Sequence, residues 1–130
     1  MLNQAPSDVL ANLNNRITLM HHSFFDPQPV SGASAYLIRN VTHNWSDEDC
    51  VRIFKALVPA LEESHPGTPV LINDIVLPDL DEMPHFLEQR LRQVDIMMMV
   101  AFGGKQRTKS EFRAILEGAD PRYRVSAWLS

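Results

Sequence analysis

Apolar residues fall into short blocks separated by turn-forming stretches, and the spacing inside each block predicts its conformation. Ile17-Thr18-Leu19-Met20 is a short apolar run that reads as a buried strand. Two prolines and a glycine between Phe25 and Ala33 mark a loop. Tyr36-Leu37-Ile38, with Val41, form a second strand. A helix then begins after Ser46, a good N-cap. Asp47, Glu48 and Asp49 fill its first turn, where the helix dipole favours negative charge. Val51, Phe54, Leu57, Val58 and Leu61 recur behind them at helical spacing, and Pro66-Gly67 ends the segment.

Val70 to Leu77 is nearly continuous in apolar residues, the pattern of a parallel strand covered on both faces. Asp74 sits inside this run. A carboxylate is costly to bury without partners, so its position implies a local hydrogen-bond network. The turn-rich stretch Pro78 to Pro84 leads to a second helix over residues 86–102. Leu87, Leu91, Val94 and Met98 form its stripe, and Gly103-Gly104 stops it. Thr108 and Glu111 have capping-box spacing, and Phe112, Ile115, Leu116 and Ala119 supply the inner face of a third helix. Tyr123 to Leu129 reads as a closing strand. Strands alternating with helices predict an α/β domain built on a mainly parallel sheet.

Composition narrows the function classes. A chain of 130 residues fits one domain. Its net charge is −4, and Lys and Arg are scattered without forming a stripe, which argues against a nucleic-acid partner. The longest apolar stretch, Ile96 to Phe102, is too short to span a bilayer, and Met1 to Leu10 has no leader-like pattern. Cys50 is the only cysteine, so no internal disulfide forms and a reducing, cytoplasmic compartment is expected. Cys50 falls in the first turn of a predicted helix, where a packing role is expected. The five histidines lack metal-ligand spacing, so no metal site is expected. No Walker-type loop or nucleophile elbow is present.

Three stretches carry a family resemblance. Tyr36-Leu37-Ile38-Arg39-Asn40-Val41-Thr42-His43-Asn44-Trp45-Ser46-Asp47-Glu48-Asp49-Cys50 resembles the strand, His-Asp-Trp turn and acidic helix start of plant and fungal S-adenosylmethionine-dependent O-methyltransferases. Leu71 to Pro78 resembles the next strand of that family. Asp95-Ile96-Met97-Met98, followed by Gly103-Gly104-Lys105-Gln106-Arg107-Thr108, is similar to its Met-rich helix and Gly-Gly-Lys-Glu-Arg-Thr turn. Upstream, His22-Ser23-Phe24-Phe25-Asp26-Pro27-Gln28-Pro29 resembles the preceding loop of the fungal form.

The resemblance implies a partial Rossmann-like methyltransferase domain over 1–130, the C-terminal portion of a catalytic domain. Its first strand, its Gly-rich loop and an N-terminal dimerisation domain are not expected within these residues. It implies methyl transfer from S-adenosylmethionine to a hydroxyl of a small aromatic or secondary-metabolite acceptor. His43 would be the general base and Asp74 the carboxylate that orients it. Met97 would line the acceptor pocket, with Arg39 and Phe24 on the cofactor side. A neutral imidazole in reach of a hydroxyl can take its proton, and a thioether packs well on flat rings.

The departures from the family pattern bear on activity. The five glycines, Gly32, Gly67, Gly103, Gly104 and Gly118, form no cofactor-binding turn. The acidic ribose position in Asn3 to Leu10 falls on Gln4, and a further acidic position falls on Ser23. Asn44 stands for Asp, and Gln106 for Glu. The chain is therefore expected to be inactive alone, or to act as a degenerate domain. It would then form a homodimer or pair with a fuller relative. A non-methylating, pericyclase-like relative is a further alternative. Geometrically, strands 36–41 and 70–77 should be parallel, with His43 and Asp74 at their C-terminal ends facing one crevice.

Overall fold

The computed structural model describes residues 16–77, 89–90, 92–93, 96–97, 99–100 and 105–129. Among the described residues the elements with fixed bounds are, in order, β1 (Tyr36–Arg39), α1 (Asp47–Glu62), β2 (Val70–Asn73), β3 (Val76–Leu77), β4 (Arg107–Thr108) and α2 (Lys109–Ala119). A single 3₁₀ turn, Thr42–Asn44, joins β1 to α1. Strand pairing among the described residues is parallel. β1 lies beside β2 with Tyr36 opposite Val70 and Arg39 opposite Asn73. β3 lies beside β4 with Val76 opposite Arg107. The α/β character and the parallel pairing of β1 with β2 are as the sequence implies.

Helices α1 and α2 start where they do for local reasons. Ser46 Oγ accepts the Asp49 N–H at 3.1 Å, closing the N-terminus of α1. At α2 the capping box is complete: Glu111 N–H donates to Thr108 Oγ1 at 3.3 Å, and Thr108 N–H donates to Glu111 Oε2 at 2.9 Å. Together such contacts satisfy donors that a helix start otherwise leaves to water. The core joins Tyr36 of β1 to Cys50, Phe54, Leu57 and Ala60 of α1 and to Ile115, Leu116 and Ala119 of α2. Cys50 is wholly buried and takes the packing role expected of it. The inner stripe of α1 centres on Cys50, Ile53, Phe54, Leu57 and Ala60, a partial rotation from the expected one. Val51 and Leu61 flank the core, half-buried.

Three expectations are corrected. The run 70–77 is not one strand: it breaks at Asp74-Ile75 into β2 and β3, which belong to different sheets. Ile17 to Met20 forms no strand, and Ile17, Leu19 and Met20 are exposed. No ladder among the described residues takes up its backbone groups, and an apolar run becomes a strand only where another strand receives them. Tyr123 to Leu129 also forms no strand: no ladder among the described residues takes up its backbone groups, and its side chains pack across the helices. The Tyr123 hydroxyl donates to Phe54 O at 2.8 Å, and the Trp128 ring packs 6.4 Å from that of Phe112.

Of the expected second helix, positions 89, 90, 92, 93, 96, 97, 99 and 100 are helical. Its stripe residues Leu87, Leu91, Val94 and Met98, its stop at Gly103-Gly104, and the segment Asn3 to Leu10 with Gln4 lie outside the described residues.

Candidate active site

The chain leaves β1 through Asn40, which adopts a positive φ of 53°. Asn is among the few non-glycine residues that enter this region readily. The turn places Thr42 and His43 just beyond the C-terminal end of β1. Asp74 follows β2 directly, so in the parallel pair both segments emerge at the same end. α/β folds place their chemistry at that end.

There the side chains meet. His43 Nδ1 lies 2.6 Å from Asp74 Oδ1. Asp74 Oδ2 accepts the Thr42 N–H at 3.0 Å and the Thr42 hydroxyl at 2.6 Å. The Asp74 side chain is 2% exposed and that of His43 21%. The buried carboxylate is thus supplied with three donors, while one edge of the imidazole stays open. A carboxylate only accepts, so Nδ1 carries the hydrogen. The neutral ring then keeps its lone pair on Nε2, the nitrogen turned from Asp74, and that atom can receive a proton.

The backbone around His43 is held equally firmly. Lys105 N–H donates to His43 O at 2.7 Å. The Arg107 guanidinium, fully buried, donates from Nη1 to Thr42 O at 2.7 Å and to Lys105 O at 3.2 Å. Nη2 donates to Trp45 O at 2.6 Å, and Nε to Asp47 Oδ1 at 2.8 Å. Lys105 Nζ reaches Asp47 Oδ2 at 3.1 Å and Glu111 Oε1 at 2.8 Å. Burial pushes the Asp47 carboxyl up, but hydrogen bonds from Arg107 and Lys105 outweigh it and hold the group below its ordinary value. Glu111 follows the same balance: burial raises it, while Lys105 and the Thr108 N–H bring it below the usual range. The Cys50 thiol, 3.4 Å from Thr42 O, is raised by burial and stays a weak donor to that carbonyl.

An aromatic group adjoins the same turn. Trp45 packs edge-on to Phe24 at 5.5 Å and to Phe25 at 4.9 Å, and the Arg52 guanidinium lies 4.7 Å over the Phe25 ring. The loop that carries the phenylalanines is tied down farther along. Tyr36 Oη donates to Val30 O at 2.8 Å, and Gly32 N–H donates to Ser64 Oγ at 3.0 Å.

The residues singled out from sequence therefore fall into two groups. His43, Asp74 and Phe24 gather at the turn after β1. Arg39 ends β1 on the sheet face away from the core, and its side chain is exposed. Met97 sits in helical backbone, 65% exposed. Asn44 is exposed in the 3₁₀ turn, and Gln106 is buried between Lys105 and Arg107. Ser23 uses its hydroxyl to accept the Phe25 N–H at 3.3 Å within its own turn. Sequence reasoning assigned no role to Thr42, Lys105 or Arg107. The only sequence signal was their place inside the quoted motifs, since periodicity says nothing about a buried guanidinium.

No set of His, Cys, Asp and Glu able to hold a metal ion occurs among the described residues. No helix among them is long and apolar enough to cross a membrane.

An imidazole held by a buried carboxylate thus lies at the carboxyl ends of parallel strands in an α/β domain. Comparison with known proteins gives the family. The O-methyltransferase domain profile matches residues 1–121, and the chain belongs to that family. It is 52% identical to O-methyltransferase sol2 of Alternaria solani over 125 residues, which is 96% of this chain and 29% of the relative. The chain thus spans under a third of that relative's length. The mitomycin 7-O-methyltransferase MmcR superposes with a TM-score of 0.66 at 32% identity, covering 86% of this chain and 31% of the other. The O-methyltransferase NcsB1 from neocarzinostatin biosynthesis was solved with S-adenosyl-L-homocysteine and 1,4-dihydroxy-2-naphthoic acid. It superposes with a TM-score of 0.63 at 29% identity, covering 85% of this chain and 30% of the other. The partial Rossmann-like fold expected from the sequence is consistent with these neighbours.

Proposed function

We propose that these residues form the base side of an S-adenosylmethionine-dependent O-methyltransferase site, with His43 as general base and Asp74 as its orienting carboxylate. The observation that carries this reading is the 2.6 Å contact between His43 Nδ1 and Asp74 Oδ1, made by a carboxylate fully supplied with donors. Nε2 would take the proton of a phenolic or enolic hydroxyl, and bound S-adenosylmethionine would supply the methyl group, its S–CH3 bond breaking to leave S-adenosylhomocysteine. Such a step is worth about 10²–10⁴ in rate. The acceptor is a small hydroxylated secondary metabolite, in keeping with the dihydroxynaphthoic acid bound by NcsB1. Met97 belongs to the acceptor side in this reading, and its exposed thioether is free to meet a flat ring.

The cofactor side is a different matter. Arg39 and Phe24 are the residues these 130 would contribute. Ser23 is committed to its own turn, Phe24 packs on Trp45, and none of the five glycines falls in a Gly-rich cofactor-binding sequence motif. The described residues do not by themselves make an enclosed cradle, and on this reading the isolated polypeptide does not methylate. A fuller relative, or a second copy, would supply the missing wall. We read the compartment as cytoplasmic, in line with a lone, buried, unpaired cysteine.

Isothermal titration of the 130-residue chain with S-adenosylmethionine and S-adenosylhomocysteine tests the cofactor argument. Expected affinity is millimolar or weaker, about −4 kcal/mol. A micromolar constant for either ligand sinks the claim of standalone inactivity. Size-exclusion in the same buffer then shows whether a dimer completes the site. The base assignment is tested separately: His43→Gln in a longer, active form should cut kcat by about 10²-fold or more at similar KM.

A further inference from the structure

We infer that Arg107 is a positioning residue for His43: its buried guanidinium holds the carbonyls on either side of the base and ties that turn to the start of α1 and to β4. The inference deepens the reading of His43 as the base. Its geometry, however, stands whether or not His43 takes a proton.

A rigid carboxylate alone cannot place an imidazole, because the ring also swings with its backbone. Here that backbone is clamped at successive points. Thr42 O precedes His43 and Trp45 O lies two residues beyond, and each receives its own Arg107 nitrogen at 2.7 and 2.6 Å. The carbonyl of His43 itself is taken by Lys105 N–H at 2.7 Å. Arg107 Nη1 also donates to Lys105 O at 3.2 Å, so the cation fixes the very residue that holds His43 from the other side.

Only arginine has the donors for this. Its planar fork presents five N–H groups in fixed directions, whereas a lysine ammonium is a single point with three rotatable donors. One ammonium cannot reach Thr42 O, Trp45 O and Asp47 together from the Arg107 backbone. Burial strengthens the assignment. The side chain is fully excluded from solvent and its ionic partner is Asp47, the first residue of α1, which is half exposed. A buried cation that gives two hydrogen bonds to carbonyls of one turn, and a third to the residue holding that turn from the other side, is placed to fix it. Surface ion pairs add little, but removing one partner of a buried, hydrogen-bonded charge leaves the other groups unsatisfied.

The test compares the full chain with its Arg107→Lys and Asp47→Asn variants, each ¹⁵N-labelled at the histidine rings. The readout is solvent exchange of the His43 Nδ1–H, at a temperature where circular dichroism shows native helix. Amide exchange at Phe54 and Ile115, in the core, is the control for global opening. Arg107→Lys is expected to speed His43 exchange by about tenfold, the effect of losing one charged hydrogen bond's restraint on the turn, with core amides unchanged. Asp47→Asn removes the charge that anchors the Arg107 fork to α1, loosening the clamp without deleting it, and should give about a twofold acceleration. Unchanged His43 exchange in a folded Arg107→Lys protein overturns the inference, as does an acceleration that core amides match. If Arg107→Lys does not fold, Asp47→Asn decides, and exchange equal to wild type counts against the proposal. The measurement needs no turnover, so failure of the general-base assignment leaves its outcome readable.

Discussion

Replacing Asp74 with Asn changes the charge of the central carboxylate while keeping its shape, and the structure fixes how the amide must sit. Asp74 Oδ2 accepts both the N–H and the hydroxyl of Thr42. A backbone N–H cannot become an acceptor, so the Asn carbonyl oxygen must occupy that side. The amide NH₂ then faces His43 Nδ1 and forces it to accept. The ring hydrogen moves to Nε2, and the nitrogen that should receive a proton no longer can. Three charge-assisted bonds become neutral ones, a loss of about 1 kcal/mol each. Relief from burying a charge offsets part of this, since an unpaired or partly paired buried ion costs several kcal/mol. The net expectation is a loss of about 1–2 kcal/mol, or a melting midpoint lower by about 3–10 °C. Urea unfolding followed by far-ultraviolet circular dichroism measures the stability change, and imidazole ¹⁵N–¹H correlation spectra report the tautomer. Wild type should show the Nδ1–H form of neutral His43 and Asp74→Asn the Nε2–H form. A wild-type Nε2–H ring, or the same tautomer in both proteins, would refute the reasoning.

Acid titration should expose the ion cluster at the start of the two helices. Asp47 and Glu111 sit below their ordinary values in the folded chain despite burial, so their contribution is fully present above the unfolded carboxylate value near pH 4. It is lost as pH falls through the folded values. Urea midpoints between pH 2 and 7 should therefore drop below about pH 4, with a shallower drop in Asp47→Asn. Tyr123 is the alkaline counterpart: burial pushes its hydroxyl up to about 12, and Asp120 adds to the rise. Its contribution is complete below the unfolded value of about 10 and disappears as pH rises through the folded one. Phenol-carbon chemical shifts of Tyr123 should titrate near pH 12, and a midpoint at 10 would contradict its buried bond to Phe54 O. Removing the α2 cap with Thr108→Ala should cost about 1 kcal/mol in the same urea assay, because it deletes one arm of the capping box.

What the sequence determined by itself was local. Ser46 with its three acidic followers, and Thr108 with Glu111, specify where two helices start, because each cap bonds to a backbone only three residues away. Apolar spacing set the inner face of α2 for the same reason. The apolar run at 70–77 announced parallel pairing, but not its break into two strands or the exposure of Leu71 and Ile75, which overturns the expected cover on both faces. Within the site, His43 and Asp74 were legible through the motifs around them and through the oddity of a carboxylate in an apolar run. Tertiary structure decided the rest. The break of that run at Asp74-Ile75 follows from a carboxylate drawn to Thr42 and His43, more than 30 residues earlier. Whether Tyr123 to Leu129 became a strand depended on a neighbouring strand to receive its backbone; among the described residues its side chains meet Phe54 and Phe112 instead. Arg107 was the least visible of all, since its partners Thr42, Trp45 and Asp47 lie some 60 residues away along the chain. A guanidinium reads as a surface residue in a sequence window. It becomes the anchor of a turn only when folding brings carbonyls from another segment within reach of its fork and removes the water that would otherwise satisfy both.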